Sequence, residues 1–107
     1  MRIIELAPEY AGTYLIRGIT YYKSKRFDEA IKDYNKALEL NPGFAEAYAG
    51  RGLVYYELKK SDEAIKDYNK ALELNPKYAE AYHNRGIEYR ELRKFDETKD
   101  DFSRTHN

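Results

Sequence analysis

The sequence has 107 residues, of which 19 are basic and 19 acidic, so its formal net charge is zero, and it contains no cysteine. The length suffices for one modest hydrophobic core, and the lack of cysteine excludes disulfides and thiolate metal ligands. A neutral charge balance argues against nucleic-acid or anionic-membrane binding, because both need an excess of positive charge. A hydrophobic fraction of 42%, with 12 tyrosines, favours a folded chain over a disordered one.

The sequence shows no membrane or export signal. No stretch approaches the roughly 20 consecutive apolar residues that a membrane-spanning helix needs. Residues 1–8 contain charged residues and a proline, so they lack the apolar core of a signal peptide. We therefore expect no membrane association and a cytoplasmic location, with which the absence of cysteine agrees.

An internal period of 34 residues organises the sequence. The segment 28–42, DEAIKDYNKALELNP, recurs without change at 62–76. Prolines, glycines and tyrosines recur at the same interval, as Pro8, Pro42 and Pro76, as Gly18, Gly52 and Gly86, and as Tyr14, Tyr48 and Tyr82. This period indicates a repeat architecture, in which each unit buries its apolar face by stacking on its neighbours.

The period divides the chain into four parts. Residues 1–10 match the end of a unit, because IIELAP is similar to ALELNP, so we expect the tail of a preceding repeat's second helix there. Two complete repeats follow at 11–44 and 45–78. The third, 79–107, is the least regular and stops before a closing proline, so we expect a truncated second helix that acts as a polar cap.

Each repeat is predicted to be a pair of helices, roughly 45–58 and 62–74 in the second repeat. The second helix carries an apolar stripe at helical spacing, formed by Ala64, Ile65, Tyr68, Ala71 and Leu72. Asp62 and Glu63 suit its first turn, and Asn75-Pro76 ends it. Short connections then require the two helices to lie antiparallel.

A glycine inside the first helix of each repeat needs a physical reason, because it costs about 1 kcal/mol relative to alanine. We expect Gly18, Gly52 and Gly86 to let a large side chain of the paired helix pack against the backbone. The small residues Ala30 and Ala64 would play the reciprocal part on the second helix.

These positions resemble the tetratricopeptide repeat (TPR), whose period is also 34 residues. The matching positions are Tyr14, Tyr48 and Tyr82, the three glycines, Tyr21, Tyr55 and Tyr89, and the second-helix sets Ala30, Tyr34, Ala37 and Pro42 and Ala64, Tyr68, Ala71 and Pro76. The resemblance implies an all-α fold, an α-solenoid of antiparallel helix pairs wound as a right-handed superhelix. It also implies a scaffold that binds a protein or peptide in a concave groove.

The sequence departs from the family pattern at several positions. Arg17, Arg51 and Arg85 replace the usual leucine, and Ser61 stands where Phe27 and Phe95 occupy the other repeats. A row of arginines could bind phosphates or carboxylates, or each could pair with an acidic residue of an adjacent helix. The neutral net charge favours internal pairing.

The resemblance also predicts the groove residues. The family's first-helix contact positions fall on Leu15, Ile19, Tyr22, Ala49, Leu53, Tyr56, His83, Ile87 and Arg90. Aliphatic and aromatic residues in a line are typical of a binding surface. The alternative is that they stack between neighbouring first helices. Most other tyrosines occupy core positions, where plain packing explains them.

Signs of enzymatic or metal chemistry are absent from the sequence. It has no glycine-rich phosphate loop and no His-Glu-x-x-His motif. The pairs Asp28-Glu29 and Asp62-Glu63 are adjacent in sequence, so they point in different directions and suit helix starts better than acid–base catalysis. His83 and His106 are distant and lack companion ligands. We therefore expect neither an enzyme nor a cofactor.

The family also suggests a test of partner chemistry. Chaperone-binding members hold a peptide's terminal carboxylate with Lys, Asn and Arg on their first helices. The matching positions here are Leu15, Ile19, Gly50, Glu80 and Asn84, and none supplies positive charge. We therefore expect an apolar or extended segment as the ligand.

Self-association is the alternative function. Near-identical repeats with open ends could stack or exchange a helix hairpin between two chains, giving a homodimer. RNA binding by helical repeats is a weaker third possibility, because it needs a basic surface that a neutral chain does not predict.

Overall fold

The computed structural model describes the backbone of residues 9–105 and the side chains of residues 10–94. This part of the chain forms five helices and no strand: α1 (Glu9–Lys23), α2 (Phe27–Leu40), α3 (Ala45–Glu57), α4 (Ser61–Leu74) and α5 (Ala79–Thr105). None of these helices combines the length and apolar character that crossing a bilayer requires. The remnant predicted at 1–10 lies outside the described residues, except that Glu9 and Tyr10 begin α1, and His106 lies outside them as well.

The helices stack as the repeat pattern predicts. α1 packs against α2 and α3 against α4, and these two hairpins are joined by contacts of α2 with α3. α4 in turn packs against α5, and the first helices α1, α3 and α5 are neighbours along one side of the array. The fold is therefore an all-α solenoid of helix pairs.

Each of the two hairpin turns contains one lysine whose backbone is in the left-handed conformation. Lys25 has φ 62° and Lys59 has φ 64°, and no other non-glycine residue of the described chain has a positive φ. The backbone N–H of Arg26 donates to the carbonyl of Tyr21, and that of Lys60 to Tyr55, at 2.9 Å in both turns. This is the Schellman arrangement, which satisfies the last carbonyls of a helix. The conformation costs a lysine about 1–2 kcal/mol, so packing of the two helices must offset it.

The ends of the second helices are closed by asparagine. The backbone N–H groups of Asn41 and Asn75 donate to the carbonyls of Ala37 and Ala71, at 2.8 Å each. The Oδ1 atoms of the two asparagines then accept bonds from the backbone of Gly43 and Lys77. Pro42 and Pro76 lie inside these turns, after the helices have ended at Leu40 and Leu74, so they interrupt no helical hydrogen bond.

The predicted contact between glycine and a large side chain is confirmed in the first two repeats. A Cβ added to Gly18 would lie 2.9 Å from Cε1 of Tyr34, and one added to Gly52 would lie 2.8 Å from Cε1 of Tyr68. Both tyrosines are almost completely buried. Each ring therefore lies directly on the backbone of the paired helix, which is close packing that only glycine permits.

The third repeat differs from the prediction. Instead of a hairpin with a separate second helix, residues 79–105 form the single continuous helix α5. The connecting sequences contain no proline or glycine, so local preference allows a helix to run through them in all three repeats. Only burial of the second helix favours the left-handed turn. In the third repeat Thr98 and Thr105 replace the alanines of that buried face, which weakens this driving force.

Candidate binding groove

The first helices of the repeats enclose a groove. A cavity of about 300 Å³ lies between α1, α3 and the start of α5. Five residues of the predicted contact stripe line it, namely Leu15, Ile19, Tyr22, Ala49 and Leu53. The tertiary structure therefore brings these residues together, although they belong to different repeats.

The interpretation that stripe residues pack between neighbouring helices applies to part of the stripe. Leu15 and Tyr22 pack against the buried cluster of Ala30, Tyr34 and Val54, so they serve the interface between repeats. Ile19 is 37% exposed, which is unusual for an aliphatic residue surrounded by other apolar groups. The groove thus combines packed walls with an accessible apolar floor.

A smaller notch of about 100 Å³ continues the groove towards α5. It is lined by Leu53, Tyr56, Tyr68, Asn84 and Ile87. Leu53 and Asn84 also line the larger cavity, so the two spaces adjoin. His83 and Arg90 are exposed and line neither space.

The predicted stripe did not include two aromatic residues that line the groove, Tyr34 and Tyr78. Tyr34 belongs to α2, but its ring lies between Gly18 of its own repeat and Gly50 of the next. A Cβ at Gly50 would lie only 2.7 Å from Cζ of Tyr34. The sequence offered one sign of this contact, which is that Gly50 has a glycine where the equivalent positions of the other two repeats hold the larger residues Ile16 and Asn84. Tyr78 precedes α5 and follows the 34-residue period from Phe44.

The rim of the groove is charged. Lys23 lies at the end of α1, whereas Glu46 and Glu80 lie at the starts of α3 and α5, and all three line the larger cavity. Burial raises the pKa of Tyr78, and the carboxylates of Glu80 and Glu46 raise it further. Both carboxylates therefore act on the same phenol at the rim of the groove.

A hydrogen bond across the first two repeats stabilises the position of one stripe residue. The hydroxyl of Tyr22 donates to Oε2 of Glu57 at 3.1 Å. Partial burial, together with this bond, raises the pKa of Tyr22 to about 12. Tyr22 is consequently a neutral donor at any physiological pH.

Arg17 and Arg51, at the arginine position of the first two repeats, bind acidic residues of this chain. Nε and Nη2 of Arg17 donate to the two carboxylate oxygens of Asp33, and Arg51 binds Asp67 in the same bidentate way, with distances of 2.8–2.9 Å. Nη1 of Arg51 also donates to Asn35 of the preceding repeat. Each guanidinium lies over a tyrosine ring, as Arg51 does over Tyr48 at 5.4 Å. The structural interpretation of Arg17 and Arg51 is thus confirmed.

A larger, polar depression of about 590 Å³ lies beside Arg51, Asp67 and Asn69. Its charged groups already pair with one another, as Arg51 does with Asp67 and Lys70 with Glu73. A ligand there would have to displace existing bonds, so the apolar groove is the better candidate site. Among the described residues, no group of three His, Asp or Glu side chains converges as a metal site requires.

Comparison with protein families identifies the class. Residues 18–59 match a TPR repeat model, and residues 45–78 and 67–100 each match a tetratricopeptide repeat model. Comparison with curated protein sequences gives no significant match. The chain belongs to the tetratricopeptide repeat family.

Solved structures of TPR domains are similar over nearly the whole chain. The first TPR of Spaghetti (RPAP3), bound to the HSP90 peptide SRMEEVD, is 34% identical with a TM-score of 0.79, covering 94% of this chain and 80% of that one. The second TPR of the same protein, bound to the same peptide, is 29% identical with a TM-score of 0.77, covering 90% and 89%. The TPR domain of Arabidopsis OM64 is 29% identical with a TM-score of 0.78, covering 91% and 80%.

Proposed function

We propose that this protein is an interaction scaffold that binds a peptide or protein segment in its groove. The observation that carries the proposal is the cavity of about 300 Å³ in which Leu15, Ile19 and Leu53 meet from two repeats. Two of the similar TPR domains hold a peptide, the HSP90 peptide SRMEEVD. Protein binding rather than catalysis is the function that this fold and this surface support.

The groove's chemistry indicates the class of ligand. Its floor is aliphatic and aromatic, and the predicted contacts in the cavity carry no charge. The charged rim has two carboxylates and one ammonium group, the opposite of what an acidic peptide needs. We therefore propose an apolar segment, bound in extended form, with Leu53 and Tyr56 among its principal contacts.

A peptide array tests this proposal. The full chain is applied to an array of heptapeptides of varied sequence, and the tightest binders are measured in solution by calorimetry. The variant Leu53→Ala plus Tyr56→Ala is expected to lose at least about tenfold in affinity, because each truncation removes about 1–2 kcal/mol of apolar contact. Ile16→Ala is the matched control, since Ile16 is 65% exposed on α1 and lines neither groove space.

Two outcomes of the array would contradict the proposal. The first is the absence of any heptapeptide that binds the wild-type chain in solution. The second is an unchanged affinity in the double variant with its helical circular dichroism intact, which would place the binding surface elsewhere.

We further propose that this binding takes place in the cytoplasm, as the sequence predicts.

Self-association through the ends of the array is a second proposal. Tyr82 and Tyr89 on α5 are 48% and 49% exposed, a substantial aromatic surface at one end of the described chain. A second copy that covered these rings would bury apolar area. Light scattering over a concentration series tests this proposal, and a constant monomer mass contradicts it.

A further inference from the structure

One end of the groove combines an aromatic ring with two carboxylates. We call it the acidic end of the groove and define it as Tyr78, Glu46 and Glu80, all of which line the cavity of about 300 Å³. Glu46 belongs to the first turn of α3, and Glu80 belongs to the first turn of α5. Both glutamates are exposed, whereas Tyr78 is half-buried. Stacking of the second and third repeats therefore brings two carboxylates to one ring.

Neither carboxylate of the acidic end forms an ion pair with any side chain that the structure describes. Lys23 lines the same cavity, but it ends α1, which the 34-residue period places level with the end of α3. That level is about 16 Å from Glu46 along the helix axis, at 1.5 Å per residue. Lys77 precedes Tyr78 in sequence but does not line the cavity. Both carboxylates are therefore available to a cationic ligand.

The chain itself shows which cation suits a tyrosine ring beside a carboxylate. Three of its arginines lie over tyrosine rings while their guanidinium groups bind a carboxylate. They are Arg17 with Tyr14 and Asp33, Arg26 with Tyr21 and Glu29, and Arg51 with Tyr48 and Asp67. Their guanidinium carbons lie 4.9–5.7 Å from the ring centroids. The ring attracts the cation and the carboxylate accepts its hydrogen bonds, so the same groups at the acidic end suit a guanidinium.

We propose that the segment bound in the groove carries an arginine, whose guanidinium lies over Tyr78 and donates to Glu46 and Glu80. The inference rests on the proposed function, because it names the charged residue of the segment that the groove binds. The occupant is an extended segment of another protein, and its apolar side chains contact Ile19 and Leu53 in the same cavity. Charge complementarity thus joins apolar contact as the basis of recognition.

Arginine suits the acidic end better than lysine for a geometric reason. A guanidinium is planar and presents five N–H donors, so it can lie flat on a ring and donate to two carboxylates at once. A lysine ammonium is a compact and strongly hydrated charge, so it gains less from the ring. At this position of the ligand we therefore expect arginine to bind most tightly, then lysine, then a neutral residue.

The two glutamates also have a structural role that must be separated from ligand binding. A carboxylate in the first turn stabilises a helix through the helix dipole, whatever it faces. Asp28 and Asp62 occupy the first turns of α2 and α4 and line neither of the two groove spaces. Replacing these aspartates by asparagine alters net charge and helix starts in the same way as replacing the two glutamates by glutamine. They therefore provide a matched control.

A set of matched peptides tests the inference. The full chain is titrated in a calorimeter with acetylated and amidated heptapeptides of leucine, alanine and tyrosine in which one residue, at each position in turn, is arginine, citrulline, lysine or glutamate. Citrulline has the shape of arginine without its charge. At the best position, the arginine peptide is expected to bind at least about fivefold more tightly than the citrulline peptide, and this preference should shrink at high salt. The glutamate peptide should bind most weakly.

Substitutions at the acidic end locate the preference. Glu46→Gln combined with Glu80→Gln is expected to reduce the preference for arginine over citrulline to below about twofold, because both charged acceptors are gone. Asp28→Asn combined with Asp62→Asn should leave the preference unchanged. Tyr78→Phe should also keep it, since the ring remains, whereas Tyr78→Leu should lower it about twofold. The glutamates are exposed, so their variants test the inference even if Tyr78→Leu fails to fold.

The results distinguish this inference from the proposed function. Equal binding of the arginine and citrulline peptides would overturn the inference while the groove still binds a segment. Equal binding of the arginine and lysine peptides would contradict a guanidinium stacked on Tyr78. An equal effect of the glutamine and asparagine double variants would reduce the preference to general electrostatics and would also overturn the inference. If none of the peptides binds, the proposed function fails together with the inference.

Discussion

Arg51 and Asp67 form a bidentate ion pair in which Nε and Nη2 donate to the two carboxylate oxygens at 2.8 Å each. The Asp67 side chain is 6% exposed and that of Arg51 22%. This hydrogen-bonded pair raises the pKa of Arg51, against the opposing effect of burial. A leucine at this position would pack but could not bind both Asp67 and the preceding repeat, so arginine joins two repeats through one side chain.

Arg51→Ala is expected to destabilise the chain by about 3 kcal/mol, because it leaves the buried Asp67 carboxylate without a counter-charge. Urea unfolding followed by circular dichroism measures the change. Lys70→Ala, which breaks an exposed pair with Glu73, is the control and should cost at most about 0.5 kcal/mol. Equal losses in the two variants would contradict a special role of the Arg51–Asp67 pair.

Gly52→Ala is expected to destabilise the chain by about 1–3 kcal/mol, because its Cβ would lie 2.8 Å from the ring of the fully buried Tyr68. Gly12→Ala should instead stabilise the chain by about 1 kcal/mol, since no atom of the described residues lies within 4 Å of its added Cβ and alanine favours a helix. Thermal unfolding of the two variants should therefore show shifts of opposite sign. Stabilisation by both substitutions would mean that the Tyr68 ring moves aside at no cost.

Glu88→Val is expected to stabilise the chain by about 1–3 kcal/mol. Glu88 is 2% exposed and its Oε2 has no hydrogen-bond partner among the residues that the structure describes, whereas the equivalent position of the second repeat holds the buried Val54. Burial and then the Glu88 carboxylate raise the pKa of Tyr68, which shows how close the charge lies to that ring. Removing a buried carboxylate that has an unsatisfied oxygen favours folding.

Chemical denaturation of Glu88→Val beside Glu88→Gln separates charge from packing. Glu88→Gln keeps the shape and removes the charge, so it should recover part of the gain. Val54→Glu provides the reciprocal comparison and should destabilise the second repeat. A loss of stability in Glu88→Val would indicate that the carboxylate has a partner in solution.

Alkaline pH is expected to unfold the chain through its buried tyrosines. Burial raises the pKa of Tyr34 from 10.0 to about 12. The stabilisation by the neutral phenol is therefore fully present below pH 10, the unfolded value, and is lost as the pH rises towards 12. In that window each such tyrosine lowers the free energy of unfolding by about 1.4 kcal/mol per pH unit.

Urea titrations at pH 9, 10.5 and 11.5 measure this dependence. Tyr34→Phe should flatten the slope relative to wild type, because one buried titrating group is gone. Tyr89→Phe, at a half-exposed position, is the control that should leave the slope nearly unchanged. Identical slopes for wild type and Tyr34→Phe would show that other groups govern alkaline unfolding.

The peptide SRMEEVD is expected to bind at least about tenfold more weakly than an apolar heptapeptide selected on the array. Glu46 and Glu80 at the groove repel its carboxylates, and no predicted contact in the cavity is basic. Glu46→Lys combined with Glu80→Lys should raise the affinity for this peptide, most clearly at low salt. Calorimetry at two salt concentrations measures both effects. Tight binding of SRMEEVD by the wild-type chain would contradict the proposed ligand class.

The sequence by itself determined the period, the approximate spans of α3 and α4 and the glycine contacts at Gly18 and Gly52. These features follow from local signals, since helical spacing and turn residues act within one repeat and the repeats copy one another. The resemblance to the TPR family predicted which first-helix residues face the groove, and Leu15, Ile19 and Leu53 do line one cavity there. Their part in binding stays a prediction.

Only the tertiary structure decided how the repeats share residues. The sequence left two interpretations of the arginines open, and the geometry showed Arg51 bound to helices of two repeats. It also placed Tyr34 between Gly18 and Gly50, because that contact depends on how one hairpin stacks on the next. Tertiary packing also determined that α5 is one continuous helix. Its sequence permits both a helix and a turn, and the balance is set by what the following residues bury, which spacing alone does not reveal.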